Sequence, residues 1–402
     1  PVTIKLLMNT GPAPTVELGL LKKWAEKTGN KFEVVQIPFT QLRDKIMTLM
    51  LAGDDSYDLY RVEAGIFPLL VNGLHPLEEY VKKDRFDLSP IPETVRGLFT
   101  GLDGKLYGIP HDSDPPALLY RYDLFEDPKE KKAFKEKYGK ELAPPKTFDE
   151  MLDVARFFTR DTNGDGKIDM YGICTEGRAY ISTTRMWQTF LSVAGGNPTL
   201  LDSKLKPDFN SPEGVKALEF YTDLELKYHV AVPGSSAIGA TESIAVLNKS
   251  VAAMGVSYPK GQGRTVPLKA SLFGRPIDKG WAYCFNKFGK PERRYAAFDF
   301  IKYLVSFEGQ KVFGIEGGCP TRDDVLIDPD VVRKWPMYER LPELHKISLT
   351  PQITLIPEFG YVWDELGVAI GKVFAGQATA KAALDETAKS IYSTMERAGY
   401  YK

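Results

Sequence analysis

Cysteine is scarce in this sequence: three residues, Cys174, Cys284 and Cys319, stand far apart in 402, and none falls in a C-x-x-C spacing. That scarcity excludes a zinc ribbon or a disulfide framework, so the fold must stand on its core. Histidine is nearly as rare, and His75, His111, His229 and His345 form no H-E-x-x-H pairing of the zinc hydrolases. Also missing are G-x-S-x-G and G-x-x-x-x-G-K-[ST], the turns that present a nucleophilic serine or cradle a nucleotide's phosphates. No apolar run approaches the roughly 18 residues of a membrane span. Neither sign of charge dominates: 52 basic residues face 53 acidic ones, for a net charge of -1. Bulk electrostatics therefore give no reason to expect nucleic acid or an anionic membrane as partner, and a small solute held by local contacts is expected instead.

What is present is length, an ordinary core composition and many rings. With 402 residues, 43% hydrophobic and 26% charged, the chain exceeds one comfortable core, and two domains are expected. It opens on Pro1–Val2, which fits a mature chain freed of an export signal and a trimmed chain alike. VTIKLLM predicts a strand, and a helix starting near Thr15 carries Leu20, Leu21 and Trp24 on one face and ends at Gly29. KFEVVQIPF, a helix capped by Thr40, and the strand YDLYRV continue an alternation that is the grammar of a parallel sheet flanked by helices. YGIPHDSDPPALLYRYDLF breaks that rhythm and predicts an interdomain crossing. Beyond it, Thr147 and Glu150 form a capping box for a helix with Phe148, Met151, Leu152, Ala155 and Phe158 as its apolar stripe. Ser211 and Pro212 open another helix. VAAMGVSYP and GWAYCFN read as buried strands, PERRYAAFDFIKYLVSFEGQKVF as one amphipathic helix, and TAKAALDETAKSIYSTMERAG as the last helix.

The rings number 5 Trp, 20 Tyr and 22 Phe, and Trp187, Tyr258, Trp281, Tyr361 and Trp363 lie beside turns or crossing segments. An open ring face stacks on the C–H face of a pyranose while nearby Asp, Asn, Glu and Arg bond its hydroxyls; the competing reading for each ring is a place in the core. The loop DTNGDGKIDMYG, residues 161–172, presents oxygens at Asp161, Asn163, Asp165 and Asp169, a carbonyl at Lys167, and Gly166 for the sharp turn of a calcium loop. Its twelfth position holds Gly172 where such loops place a bidentate Glu. Two readings stay open: a structural calcium site completed by Glu176 or by water, and a turn that favours Asn, Asp and Gly for backbone reasons. No other cofactor is required.

Taken in order, YGIPHDSDPPALLYRYDLF, PPKTFDEMLDVARFF, DTNGDGKIDMYGI, MWQTFLSVAGGNP, SPEGVKALEFYTDL, VAAMGVSYP, KGWAYCFNKFGKPERRYAAFDFIKYLVSFEGQ and GGCPTRDDVL resemble the extracellular solute-binding proteins of ABC importers, the maltodextrin-binding type, over nearly the whole chain. The resemblance implies an α/β fold of the periplasmic-binding-protein type II class, two lobes joined by several backbone crossings. Lobe one would hold residues 1–112 and 280–325, lobe two residues 113–279 and 326–402, with the ligand cleft between them. It implies a non-enzymatic monomeric receptor in the periplasm or at the cell surface, free or lipid-anchored. Such a receptor closes on a sugar or polyol and delivers it to permease subunits, with no nucleic acid involved. Mapped onto this sequence, the ligand-facing positions are Asn9 and Thr10 at the end of the first strand, Arg61 and Glu63 in YRVEA, and His111, Asp112 and Asp114 at the first crossing. Tyr258 follows the AAMG strand, Trp281 marks the second crossing, and Trp363 lies thirteen residues before Gly376. Alternatives are a phosphorylated polyol, for which Arg61 and Lys260 are the candidate cations, a carbohydrate-active enzyme using two cleft carboxylates, and a receptor that reports to a sensor kinase.

Overall fold

Ten strands appear among the described residues: β1 (Thr3–Asn9), β2 (Lys31–Ile37), β3 (Leu59–Glu63), β4 (Leu74–His75), β5 (Gly108–Ser113), β6 (Ala117–Arg121), β7 (Tyr171–Cys174), β8 (Ala252–Ser257), β9 (Leu268–Ser271) and β10 (Gly280–Asn286). They come from a computed structural model of the chain that describes residues 1–261, 263–349 and 356–401. Six build one sheet in the order β2-β1-β3-β10-β4, with β5 also paired to β10, and four build a second in the order β7-β8-β6-β9.

The first sheet begins as its sequence predicts. Strands β1 and β2 pair in parallel and β1 and β3 likewise, while the helix Pro12–Thr28 buries Leu20, Leu21 and Trp24 against them and ends on Gly29 in the left-handed conformation. Beyond these strands the sheet takes in β10, which runs antiparallel to β3, β4 and β5. The reason is connectivity: β10 re-enters from the other lobe through residues 272–279 instead of through a helical crossover, so no βαβ unit dictates its direction. In the second sheet β7 and β8 are parallel, and β6 is antiparallel to both β8 and β9.

Each sheet has its own core. Lobe one packs Leu6, Leu7, Trp24, Tyr60, Phe99, Phe285 and Phe300 together. The second sheet is buried on both faces, and β6 shows why with its period of two: Leu118 enters the cluster around Trp187, Phe190 and Trp363, whereas Ala117 and Leu119 enter the cluster around Cys319, Val325 and Tyr338. The chain passes between the two sheets at residues 114–116 and 272–279, and a third time between Phe313, which packs in the first sheet's core, and Cys319, which packs against the second sheet, short of the boundary expected at 325.

Local signals decide most boundaries. Thr147 accepts from Glu150 N at 3.2 Å and Ser211 from Gly214 N at 3.3 Å, both as capping residues. Two expectations are corrected. The helix expected to be capped by Thr40 starts at Phe39 after Pro38, whose fixed backbone replaces a side-chain cap. The single helix expected over PERRYAAFDFIKYLVSFEGQKVF is two, Pro291–Leu304 and Phe307–Ile315, because Ser306 turns out and caps the second by accepting from Gly309 N at 3.1 Å. No helix among the described residues is long and apolar enough to cross a membrane.

Gly172 lies inside β7, where any Cβ would overlap the backbone of Ala155 on the neighbouring helix Phe148–Phe158. The close approach of helix to strand therefore fixes glycine there, which is why the twelfth position of the loop has no Glu. Gly172→Ala is expected to cost about 3 kcal/mol, the upper end for overpacking against an unyielding neighbour. Urea unfolding measures it, and an unchanged midpoint would contradict this packing.

Candidate ligand-binding cleft

Strand ends carry the cleft. Glu63 closes β3, Asp114 follows β5, Trp281 opens β10, Glu176 follows β7 and Tyr258 follows β8. They line the crevice between the sheets, largely beyond the carboxyl ends of strands, where α/β proteins place their ligands.

On the lobe-one side, Arg61 and Glu63 sit two residues apart on β3 and so share a face. Arg61 donates to both Glu17 oxygens at 2.7 and 2.8 Å and to Asn9 Oδ1 at 2.9 Å, and its guanidinium covers the Trp281 ring at 3.9 Å. Glu17 also lies 3.0 Å from His111 Nε2 and accepts from the Tyr283 hydroxyl at 2.7 Å. Burial works against the Glu17 charge, but Arg61 and His111 outweigh it and hold the carboxyl well below the usual carboxylate range.

Across the cleft, Arg185 on the helix Ile181–Val193 donates to Glu63 Oε1 at 2.9 Å and lies over Trp363 at 4.4 Å, and each partner's side chain is only 4% exposed. Lys260 donates to Asp112 Oδ2 at 2.9 Å and stands 3.4 Å from Asp114, which also meets Lys279 at 3.3 Å. Lys279 lies over the Tyr258 ring at 4.1 Å. Burial opposes the charge on both lysines. For Lys260 the two aspartates win and raise its pKa, whereas for Lys279 burial wins and lowers it. Glu63–Arg185 and Asp112–Lys260 thus tie lobe one to lobe two through buried charges.

Several buried polar atoms in this region have no hydrogen-bond partner among the described residues: Asp112 Oδ1, Asp114 Oδ1, Glu176 Oε2, Arg185 Nε and Ser182 Oγ. Buried orphan groups cost stability unless a ligand or water satisfies them. Anchored carboxylate acceptors beside ring faces suit a ligand rich in hydroxyl groups.

Of the residues expected to face a ligand, Arg61, Glu63, Asp112, Asp114, Tyr258, Trp281 and Trp363 converge here. Asn9 and His111 serve the Arg61–Glu17 pair from within lobe one, and Thr10 is exposed. Two are corrected: Trp187 is fully buried among the lobe-two core residues, and Tyr361 is 36% exposed with its hydroxyl bonded to Ser390 at 2.9 Å. Glu17, Glu176, Arg185 and Lys279 escaped the ligand-site reading. Lys279 adjoins the recognised Gly280–Trp281 crossing and Arg185 sits two residues before Trp187, but Glu17 reads as an ordinary charged position on an amphipathic helix.

The loop of Asp161, Asn163, Asp165, Lys167 and Asp169 turns its oxygens on itself. Asp161 Oδ1 accepts from Asn163 N and Gly164 N at 3.0 and 2.7 Å, Asp161 Oδ2 from Gly166 N at 2.7 Å, and Asn163 Oδ1 from Asp165 N at 2.9 Å. Asp165 Oδ1 accepts from Lys167 N at 2.8 Å, and both Asp169 oxygens accept from Thr162. These are the Asx turns expected from backbone chemistry alone. Among the described residues no three His, Cys, Asp or Glu side chains converge as a metal site. Glu176 is bonded to Ser243 at the cleft and does not join this loop.

Comparison with known proteins agrees with this geometry. The family described as bacterial extracellular solute-binding protein matches residues 12–311. A probable amino-acid ABC transporter periplasmic-binding protein of Sinorhizobium fredii is 23% identical, covering 99% of this chain and 90% of that protein. A mannitol-binding protein of Pseudomonas aeruginosa is 23% identical over 78% of this chain and 74% of that one. The maltose-bound MalE3 of T. maritima superposes with a TM-score of 0.81 at 22% identity, over 98% of this chain and all of that one, so the two share a fold.

Glu17→Gln weakens the acceptor of a buried guanidinium and is expected to cost about 3–5 kcal/mol near neutral pH. The folded pKa of Glu17 lies below its unfolded value, so its contribution is present above about pH 4.5 and is lost on acidification toward the folded value. Urea midpoints measured from about pH 7 to about pH 3 should therefore fall more steeply for the native chain than for the variant. Parallel curves would contradict the assignment.

Proposed function

The chain belongs to the bacterial extracellular solute-binding proteins, and from that premise we propose that it is the receptor of an ABC importer, capturing a sugar or polyol by closure of its two lobes and delivering it unchanged to a membrane permease. The observation that carries this reading is the pair of buried, lysine-anchored aspartates whose Oδ1 atoms stand free beside Tyr258 and Trp281. Hydroxyl donors of a carbohydrate satisfy such acceptors, and ring faces take its C–H surface. The mannitol-binding protein and the maltose-bound MalE3 among the proteins this chain is similar to support the ligand class. The absence from the sequence of the usual nucleophile, metal and phosphate motifs supports a receptor over an enzyme. An address outside the cytoplasmic membrane follows from the family; a lipid anchor is a further element of the proposal.

A second reading, a solute bearing a carboxylate or phosphate, is favoured by Arg185, Lys260 and Lys279 in the cleft, and one curated relative is a probable amino-acid binder. A thermal-shift panel of D-mannitol, ribitol, D-tagatose, maltose, sugar acids and amino acids separates the two. A neutral sugar or polyol at a hundredfold excess over its Kd is expected to stabilise the fold by about 2.7 kcal/mol. Asp114→Asn is expected to weaken that ligand by about ten- to a hundredfold, the cost of a charge-assisted hydrogen bond. Stabilisation by anionic or zwitterionic solutes alone overturns the sugar assignment, and product formation overturns the receptor.

A further inference from the structure

Among the described residues Glu176 is a buried cleft carboxylate without a cation partner. It follows β7, is 1% exposed, and forms no ion pair among the described residues, unlike Glu63, Asp112 and Asp114. Its neighbours are mostly neutral donors. Ser243 Oγ donates to Oε1 at 3.0 Å and touches Ser257 Oγ at 3.3 Å, the Ser182 hydroxyl is a second neutral donor facing the carboxyl, and Oε2 makes no well-formed hydrogen bond among the described residues. The Tyr221 hydroxyl on the helix Pro212–Leu226 is held by the Glu176 backbone, accepting from its N at 3.0 Å and donating to its O at 2.8 Å.

The charged and titratable groups around it come from every packed element. Lys279 on the crossing attracts a negative charge there, and Glu242 on the helix Ala240–Asn248 repels it while bonding to Arg178 at 2.8 Å. Tyr258 after β8 and Cys174 on β7 feel the same carboxyl, and Arg185 stands beyond Tyr258. Burial dominates this balance and pushes Glu176 up to about 7.

We propose that Glu176 enters the ligand complex protonated, donating from Oε2 to a ligand oxygen, so that closing the cleft over a ligand takes up one proton. This rests on the cleft being the solute site. A neutral carboxyl supplies a donor from lobe two that complements the unpartnered acceptor oxygens of Asp112 and Asp114, and spares the closed cleft an unpaired charge. A ligand is then addressed by acceptors on one side and a donor on the other, which selects for hydroxyl groups that both give and take hydrogen bonds. The sign follows from linkage. An open cleft wets Glu176 and lets it ionise at lower pH, so affinity weakens as pH rises through the interval between its open and closed values.

The test measures the affinity of D-mannitol, ribitol and maltose by calorimetry in buffers of different ionisation enthalpy. The native chain is expected to lose at least tenfold in affinity between about pH 5 and about pH 8, with net proton uptake on binding. Glu176→Gln, a permanent donor without charge, should give a flat profile. Ser243→Ala, which removes only the donor to Oε1, should move the transition to higher pH. A pH-independent affinity in the native chain, or the same slope in E176Q, overturns the proposal. If none of these ligands binds at any pH, the sugar reading fails, and the same calorimetry with whichever sugar acid or amino acid of the thermal-shift panel does bind then decides for Glu176. Proton uptake on binding that is lost in E176Q supports it; equal uptake in both chains overturns it.

Discussion

Charge buried between two bodies must be paired, and in this protein the pairing runs across the gap. The desolvation of Glu63 and Arg185 is tolerable only when they meet, and they meet only when the lobes are together. Asp112 and Lys260 repeat the arrangement beside the crossings. Such pairs contribute little net stability but specify geometry, because separating the lobes returns each charge to water whereas misaligning them strands charges in a low-dielectric seam. The unpartnered Oδ1 atoms of Asp112 and Asp114 lie beside these pairs, where the proposed solute would bridge what the ion pairs have brought into register.

Two features let this seam open and close without loss of fold. The lobes have separate hydrophobic cores, so neither needs the other to bury its apolar surface. The crossings are short and knotted at one residue. Asp278 accepts from Ser113 Oγ at 2.9 Å, and Ser113 N donates to Cys319 O at 3.0 Å, tying the three passages of the chain together at Ser113. Rotation about a pinned axis moves the lobes as rigid bodies, which is hinge motion in its simplest form. A ligand drives it only to the extent that it binds the closed arrangement better than the open one.

Much of this was legible in the sequence wherever a local rule operated. Alternation of strands and amphipathic helices gave the lobe-one sheet up to β3, the Thr147 and Ser211 caps gave two helix starts, and the proline- and aspartate-rich stretch marked the first crossing. Legibility failed where the deciding contact is distant. The direction of β10 depends on a return from the other lobe, and the break at Ser306 is an N-cap hidden inside a continuous apolar pattern. Gly172 looked like a lost calcium ligand, yet its identity is set by Ala155 on a packed helix. Arg61, Asp112 and Trp281, on recognised strand ends, do come together, and Glu63 lies on the same face of its strand as Arg61. Glu17, Arg185 and Glu176 carry no such mark, since a lone charged residue on a helix or after a strand gives no local sign that it will be buried.

The account makes the relative placement of the lobes a consequence of ion pairs and solute acting together, and a distance between them tests that directly. The three native cysteines are buried, so dyes on cysteines introduced at exposed Lys31 in lobe one and Lys216 in lobe two would report it by single-molecule energy transfer. The expected record has two distances, the longer one gaining population with added salt and the shorter one taking over when a bound sugar or polyol saturates the cleft. A single distance that ignores both salt and solute would contradict it.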